Sequence, residues 1–331
     1  MTDVSLPCVP DIPGIIFRRY RGRDDVPGIL ALVERMRPAD KFDWVVTAQD
    51  IIDDFENYPE SDTERDILIA EKDGAIVAYS QVWWAPDPAG LLLFVYNISV
   101  SPELRSTTLG DALLEWCESR CRENAKSHDP DIRKTFNIAL PDKMEYFSGL
   151  LKSHGYHVYR HGLSMLRPDL ENIPEHRLPE GLEAREAVPE QFDRIRRAWN
   201  AACKDMRGQI PISENEWDIW SRKKSFDPGL WSIAWHGDEV IGTAFGMINP
   251  EDNELNGRKR GYIELISTRK DWRGKGVAKA LMCRTMRILK ERGMTEGALG
   301  VDEENPSGAR HLYEKMGFRV TGRATFYRKW L

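Results

Sequence analysis

The chain has 331 residues, 41% of them hydrophobic and 30% charged, which are the proportions of an ordinary globular protein with about two domains. Its net charge of −6 argues against general nucleic-acid binding, which favours a basic face. Five cysteines without a framework spacing, an N-terminus without a signal peptide and no apolar run near the ~20 residues of a membrane helix predict a reduced cytoplasmic protein with no membrane contact.

Parts of the sequence occur twice in the same order. The first matching pair reads in both places as a strand, a tight turn and a second strand, which predicts a β-hairpin. The second matching pair covers a strand and the loop after it. The third pair covers the end of a helix and the start of the next strand. Because all three pairs lie roughly 165 residues apart in unchanged order, they indicate a duplicated domain. The pairs are 69–78 with 233–242, 97–105 with 265–273, and 150–156 with 312–318.

A polar stretch containing three prolines separates the two copies at residues 167–181. Proline interrupts both helices and sheet ladders, so this stretch is predicted to be a linker. We therefore predict an N-terminal domain at 12–166 and a C-terminal domain at 182–331. Each is expected to be an α+β domain with a mixed, mostly antiparallel sheet flanked by helices.

The second copy contains a glycine-rich turn between a predicted strand and a predicted helix. A polar turn is predicted at 253–260, and the strand follows at 262–266. The turn reads Arg-Gly-Lys-Gly-Val-Ala at 273–278, and apolar residues then recur at helical spacing as far as Leu289. Backbone N–H groups and the positive end of a helix dipole suit a phosphate or diphosphate. The pattern therefore predicts an anionic cofactor.

The glycine-rich turn resembles a known family signature. Arg273-x-x-Gly276-x-Ala278 resembles the Gln/Arg-x-x-Gly-x-Gly/Ala pattern of the GNAT superfamily of acyl-CoA-dependent N-acyltransferases. Glu264 lies on the preceding strand, where many members of the superfamily have an acid. The closing helix and strand also match, through the series Asn305-x-x-x-Ala309-x-x-x-Tyr313-x-x-x-Gly317-Phe318.

The resemblance covers about residues 180–331 closely and 12–166 less closely. Two such domains in one chain resemble the mycothiol synthase family of tandem acetyltransferases. The resemblance implies acetyl-CoA as co-substrate, with its pantetheine arm added like a strand beside a bulge. The residues implied in cofactor binding are Ile266, Ser267 and Thr268 on the strand, Arg273, Gly274, Lys275, Gly276, Val277 and Ala278 at the diphosphate, and Asn305 and Ala309 before and in the closing helix.

Two residues are candidates for catalysis. Glu264, between apolar neighbours, is the candidate base, acting directly or through a water, because partial burial raises the pKa of a carboxyl. Its alternative role is to pair with a substrate cation or with Arg260. Tyr313 is the candidate acid that protonates the leaving thiolate, or else a core aromatic residue. Asn305 either bonds the pantetheine amide or caps a helix before Pro306.

The first copy departs from the family pattern. Thr108 stands where the second copy has Gly276, and alignment places Tyr96 at the position of Glu264 and Leu151 at that of Tyr313. We therefore expect the first copy to be degenerate and non-catalytic. Several tryptophans of the second copy either line an acceptor pocket or form core. They are Trp199, Trp217, Trp220, Trp231 and Trp235.

These features together predict an N-acetyltransferase that is active in the C-terminal copy. The resemblance implies acetyl transfer to a primary amine of a small molecule by direct attack in a ternary complex, since no cysteine lies in an acyl-enzyme motif. Acylation of a protein lysine or N-terminus, and acyl-CoA sensing without catalysis, are the alternatives. No metal site is predicted, and the sequence does not indicate an oligomeric state.

Overall fold

The computed structural model describes residues 4, 6–41, 45–56, 61–87, 90–204, 211–223, 225–305 and 308–331. The chain divides into two compact units. Unit 1 comprises residues 1–159 and 325–331, and unit 2 comprises residues 160–324.

Unit 1 contains a mixed sheet with the strand order β1-β2-β3-β4-β5. Neighbouring strands are antiparallel except for β4 and β5, which are parallel and are connected through α3. The strands are β1 (Ile15–Arg19), β2 (Ile67–Lys72), β3 (Ala75–Pro86), β4 (Leu92–Val100) and β5 (Lys134–Pro141). The helices are α1 (Val26–Asp40), α2 (Ala48–Glu56), α3 (Leu109–Ala125) and α4 (Glu145–Ser153).

Unit 2 repeats this arrangement with the strand order β6-β11-β10-β9-β8-β7, in which only β10 and β11 are parallel. The strands in this order are β6 (His157–Arg167), β7 (Glu183–Arg185), β8 (Trp231–His236), β9 (Glu239–Ile248), β10 (Arg260–Thr268) and β11 (Glu296–Asp302). A last strand, β12 (Arg319–Trp330), begins in unit 2 and ends in unit 1. The helices are α5 (Phe192–Cys203), α6 (Glu214–Ser221), α7 (Pro250–Leu255), α8 (Val277–Glu291) and α9 (Ala309–Lys315). The predicted α+β class, with mixed, mostly antiparallel sheets, is confirmed.

The compact units differ from the predicted domain ranges at several places. Unit 1 begins before residue 12, and the predicted linker 167–181 lies within unit 2, with Arg167 as the last residue of β6. Residues 160–166 belong to unit 2, where β6 pairs antiparallel with β11. Residues 325–331, the end of β12, belong to unit 1. There Arg328 donates to Asn137 Oδ1 over 3.0 Å. Lys329 pairs with Glu118 over 2.7 Å. The ranges 12–166 and 182–331 mark the two copies of the sequence repeat and remain a prediction. The compact units are defined by which residues contact each other in the folded chain.

Both predicted hairpins form, as β2–β3 and β8–β9. The prediction of a simple turn over 253–260 was wrong for its first residues, because α7 extends over Pro250–Leu255. Asn249 caps this helix by accepting the Asp252 N–H over 2.9 Å, and Pro250 at the first helical position favours it. This capped helix has only six residues, and beyond Pro250 its one apolar side chain is Leu255. It therefore has no apolar periodicity, which is why the pattern did not predict it.

The two faces of the unit 2 sheet have different coverings. Helix α8 packs on the face of Gly242 and Gly246, where a Cβ would lie within about 3 Å of α8 side chains or of backbone oxygens. Alternation along β9 places Thr243 and Phe245 on the opposite face. There Phe245 contacts Trp220 of α6, with stacked rings whose centroids are 5.8 Å apart. Candidate site residues are on this second face.

The C-terminal segment is expected to stabilise unit 1. Tyr327 is 3% exposed and its hydroxyl lies 2.7 Å from Ser148 Oγ. Tyr327→Ala should lower the free energy of unfolding by about 3 kcal/mol, the usual cost of removing a buried aromatic ring. Amide hydrogen exchange in β5 measures this loss. Trp330→Ala is the control, since Trp330 is 50% exposed, and equal effects of the two changes would contradict the assignment.

Candidate active site

A β-bulge interrupts β10 at the centre of unit 2. Glu264 lies opposite Phe245 and Ser267 lies opposite Thr243, so β10 has one residue more than β9 between these two pairs. Leu265 at the bulge has φ 46°, which is unusual for a residue with a side chain. The parallel ladder to β11 ends at Tyr262 and Ala298. Leu265 and Ile266 therefore have no ladder partner on β9 or β11, as expected for a strand that receives a cofactor arm.

Glu264 lies at the end of a row of aromatic residues. Trp231 on β8 pairs with Phe245 on β9, and Phe245 pairs with Glu264 on β10, so the three share one face. The Trp231 and Phe245 rings stack with centroids 4.2 Å apart. This apolar surrounding dehydrates the carboxyl, and burial raises the pKa of Glu264 to about 7. A carboxyl with this pKa can accept a proton at neutral pH.

No cation neutralises Glu264 within the described parts of the chain. Arg260, the predicted alternative partner, pairs instead with Glu296 on β11 over 2.7 Å. Glu264 is half-buried, so the carboxyl lies in an apolar enclosure that is still open on one side. The alternative in which Arg260 holds Glu264 is therefore wrong.

Tyr313 on α9 is electrostatically coupled to Glu264. Its side chain is buried and lies edge-on to Phe318, with ring centroids 6.4 Å apart. Burial raises the pKa of Tyr313 well above its ordinary range, and the negative charge of Glu264 raises it further. The phenol therefore stays protonated at neutral pH and is able to act as a proton donor. The two predicted catalytic residues, on elements about 50 residues apart in sequence, are therefore within electrostatic range of each other.

The glycine-rich turn leads into α8 through two left-handed residues. Gly274 has φ 77° and Gly276, the N-cap of α8, has φ 89°. A Cβ at either position would meet nothing within 4 Å, so the space in front of the turn is open. Glycine is required by the backbone conformation, and the N–H groups of Val277 and Ala278 lie in the first turn of the helix, where intrahelical partners are absent. An anion fits this arrangement.

The cations around the turn do not all face outward. Arg273 donates to the Thr268 carbonyl and to the Ala202 carbonyl in the last turn of α5, both over 3.1 Å. The predicted pairing of Arg273 with phosphate oxygens therefore competes with a role in tying the turn to β10 and α5. Lys275 Nζ lies 4.7 Å from the centre of the Trp272 ring, a cation–π contact that leaves the ammonium near the turn.

The remaining predicted cofactor residues lie on β10 and before α9. Ser267 is buried and its Oγ lies 2.8 Å from Thr243 Oγ1, so only its backbone is placed to meet a ligand. Asn305 follows β11, and its carbonyl accepts the Gly308 N–H over 3.2 Å. The cap of α9 is Gly308, so the alternative of Asn305 as N-cap is wrong, while Pro306 lies outside the described residues. Ala309 is the first residue of α9.

Unit 1 lacks the bulge. On β3 and β4, Gln81 lies opposite Asn97 and Tyr79 opposite Ser99 without any register shift. Asn97 therefore occupies the position that Glu264 has in unit 2. The sequence alignment that placed Tyr96 there was wrong by one residue, because it could not include the extra residue of the bulge.

The helix start in unit 1 is also covered. The Tyr146 hydroxyl lies directly against Gly110, the counterpart of Ala278, and leaves no room for a Cβ. Arg105, the counterpart of Arg273, is held by Asp40 through two hydrogen bonds of 2.7 Å. These side chains fill the place where a diphosphate would approach α3.

The tryptophans of unit 2 are mainly core residues. Trp199, Trp217, Trp231 and Trp235 are at most 5% exposed, whereas Trp220 and Trp272 are partly accessible. Trp231 stacks on Trp220 and meets Trp217 edge-on, on the face that carries Glu264. Their contribution to the site is therefore a rigid apolar wall.

Within the described residues, no group of histidine, cysteine, aspartate or glutamate side chains has the arrangement of a metal site. Among the same residues, no helix has the length and apolar character of a membrane span.

The sequence matches the model of the acetyltransferase (GNAT) family at residues 30–129 and 192–318, which is more than half of the chain. A mycothiol acetyltransferase of Geodermatophilus obscurus is 28% identical over 262 residues, 77% of this chain and 79% of that protein. A mycothiol acetyltransferase of Streptomyces coelicolor is 30% identical over 148 residues, 44% of this chain and 46% of that protein, so this match spans less than half of the relative.

A crystal structure of a GCN5-related N-acetyltransferase from Sphaerobacter thermophilus is similar over 96% of both chains, with 25% sequence identity and a TM-score of 0.74. The chain therefore belongs to the acetyltransferase (GNAT) family, and it has two regions of that family in tandem. Membership makes it an N-acetyltransferase and implies an acyl-CoA donor.

The raised pKa of Glu264 predicts a pH-dependent effect on stability. Because the folded pKa of about 7 exceeds the ordinary 4.5, the folded protein binds this proton more tightly than the unfolded chain, and stability falls as pH rises through 7. Glu264→Gln should therefore raise the free energy of unfolding by about 2 kcal/mol at pH 8 and by little at pH 4.5. Urea unfolding at both pH values measures it.

The control for this experiment is the exposed Glu254→Gln, which should change stability little at either pH. A gain from Glu264→Gln of the same size at pH 4.5 and pH 8 would contradict the assigned dehydration of this carboxyl.

Proposed function

We propose that unit 2 transfers an acetyl group from acetyl-CoA to a primary amine of a small molecule. In this proposal the diphosphate binds the N–H groups at the start of α8, reached through Gly274 and Gly276. The pantetheine arm lies along Ile266, Ser267 and Thr268, beside the bulge, with Asn305 and Ala309 near its thioester end. Unit 1 takes no part in the chemistry.

In the proposed reaction, Glu264 accepts a proton from the acceptor amine, directly or through a water. The amine nitrogen then attacks the thioester carbonyl within a ternary complex, and an N–C bond forms. Backbone N–H groups near Ile266 stabilise the oxyanion of the tetrahedral intermediate. The C–S bond breaks, and Tyr313 donates its proton to the departing thiolate. The nitrogen gives up its second proton to the tyrosinate, which restores the phenol, and Glu264 releases the first proton to solvent after the products leave.

The observation that carries this proposal is the position of Glu264. The Glu264 carboxyl has no cationic partner among the described residues and lies in an apolar wall, where its pKa is about 7. It borders Leu265 and Ile266, the two bulge residues without a ladder partner. The charge of Glu264 raises the pKa of Tyr313, which supports a proton acceptor and a proton donor acting in the same site. An acyl-CoA sensor without catalysis would have no need of this pair.

The acceptor class rests on the relatives, which are named mycothiol acetyltransferases. These names support a small-molecule amine over a protein lysine or N-terminus. A thiol-release assay with acetyl-CoA tests the choice against amino sugars, amino acids, polyamines and a lysine peptide. Thiol release with the peptide alone would favour a protein acetyltransferase. Binding of coenzyme A without release for any amine would favour a sensor.

Catalysis is expected to depend on both side chains. Glu264→Gln and Tyr313→Phe should each lower kcat by about 10²-fold, the usual scale of general acid–base catalysis. The wild-type kcat should rise with pH to a plateau above about 7, as Glu264 loses its proton, and Glu264→Gln should lack this rise. Steady-state kinetics from pH 5.5 to 9 measures both effects, and unchanged turnover in either variant would remove that residue from the mechanism.

Cofactor affinity is expected to depend on Gly276. Gly276→Ala puts a Cβ on a left-handed residue that faces the proposed diphosphate, so the affinity for coenzyme A should fall about tenfold. Gly293→Ala is a matched control, because Gly293 follows the other end of α8, has φ 85° and also has open space around it. Titration calorimetry distinguishes them. Both variants should lose similar stability, and equal affinities would contradict the proposed diphosphate site.

A further inference from the structure

Two buried hydroxyl groups hold the bulge of β10 in place. Thr243 is 0% exposed and Ser267 is 4% exposed, and both are on the face that carries Glu264. Thr243 Oγ1 donates to the Leu265 carbonyl over 2.6 Å. Because the Thr243 hydroxyl has one proton and donates it to this carbonyl, Thr243 Oγ1 accepts the hydrogen bond from Ser267 Oγ, which lies 2.8 Å away. The two hydroxyls therefore connect β9 to the residues on both sides of Ile266.

The bulge needs such a support. Leu265 has a left-handed backbone, which is unfavourable for a residue with a side chain and persists only when its surroundings determine it. Its carbonyl, turned out of the ladder by the extra residue, would lack a donor at the buried end of the strand pair without Thr243. The hydroxyl supplies that donor at the point where the register shifts.

Unit 1 provides an internal comparison. Ser99 lies opposite Tyr79 in the same register as Ser267 opposite Thr243. The serine is present in both copies, whereas the threonine is replaced by Tyr79 in unit 1. The strand β4 of unit 1 has no bulge. The copy without the threonine is thus also the copy with a regular ladder and with no acid opposite Gln81.

We propose that Thr243, supported by Ser267, is a positioning residue for the pantetheine arm of the acyl donor. This inference rests on the proposed function, because it assigns the arm to the bulge. By donating to the Leu265 carbonyl, Thr243 keeps the backbone of Leu265 and Ile266 turned away from β9 and available to the arm. The same contact sets the position of Glu264 next to the thioester. Thr243 does not touch the reacting atoms.

The test compares three variants. Thr243→Val removes the hydroxyl at nearly constant volume, and Thr243→Ser restores it. Thr285→Val is the control, because Thr285 on α8 is also 0% exposed and lies 2.9 Å from Ser232 Oγ and 3.2 Å from the Ala244 carbonyl, on the opposite face. Both valine changes leave a buried carbonyl without its hydroxyl donor, so a general loss of stability should be similar in the two.

The readout is the affinity for coenzyme A compared with that for ADP, which has a diphosphate but no pantetheine arm. Thr243→Val should lower the affinity for coenzyme A about tenfold and the affinity for ADP less than twofold. Thr243→Ser should bind both ligands with wild-type affinity. Thr285→Val should leave both affinities within twofold. Ser267→Ala, which removes only the supporting hydroxyl, should weaken coenzyme A by a smaller factor and keeps the test informative if Thr243→Val does not fold.

Two results would overturn the inference in distinguishable ways. Suppose that the wild type binds coenzyme A. If Thr243→Val or Ser267→Ala then lowers the affinity for ADP as much as that for coenzyme A, or if its affinities match those of Thr285→Val, the positioning role fails while the proposed function stands. If the wild type binds neither coenzyme A nor acetyl-CoA, the proposed function fails and the inference fails with it.

Discussion

One additional residue on β10 relative to β9 determines where the reactive groups of unit 2 lie. It interrupts the pairing of β10 with β9 at Leu265 and Ile266, which lie beyond the end of the ladder to β11 at Tyr262. Glu264, the last residue paired before the interruption, lies opposite Phe245. A regular ladder would satisfy these backbone groups and leave none for a ligand. Unit 1 has this regular ladder, with the same hairpin and a similar helix, and it has neither the acid nor the open turn. The two copies thus share a fold and differ in strand register, which shifts between β9 and β10 but not between β3 and β4.

Glu264 differs electrostatically from the fully buried acids of both units. Asp66 pairs with Arg120 and Asp25 with Arg18 in unit 1, and Asp252 pairs with Arg258 in unit 2. Glu264 in unit 2 has no such partner in the described structure, and its burial is offset by no nearby positive charge. An unpaired buried carboxyl is unfavourable to stability, and such groups are retained mainly where chemistry uses them. The stacked rings of Trp231 and Phe245 provide the apolar surrounding of the Glu264 carboxyl.

Local patterns in the sequence predicted most of the fold and the candidate residues. Alternation and helical spacing predicted the hairpins and the strand–turn–helix around Gly276. The family signature singled out Glu264 and Tyr313 as candidates. The bulge could not be predicted, because an extra residue is defined only against its partner strand. The same limit explains why Tyr96 was aligned with Glu264 and why the role of Thr243 was missed. Likewise, the contacts of Arg273 with two carbonyls depend on α5, which is distant in sequence.

The membership of residues 325–331 in unit 1 has a consequence for biosynthesis. Unit 2 is one continuous segment, whereas the sheet of unit 1 includes residues that follow the whole of unit 2 in the chain. The contact of Asn137 with Arg328 spans 191 residues. A ribosome that adds roughly 5–20 residues per second delivers this last segment many seconds after β5. During that interval the edge of β5 lacks the residues of β12, and Glu118 lacks Lys329 although Arg122 and Tyr156 already contact it. The nascent protein is therefore open to chaperones or to aggregation at the edge of β5.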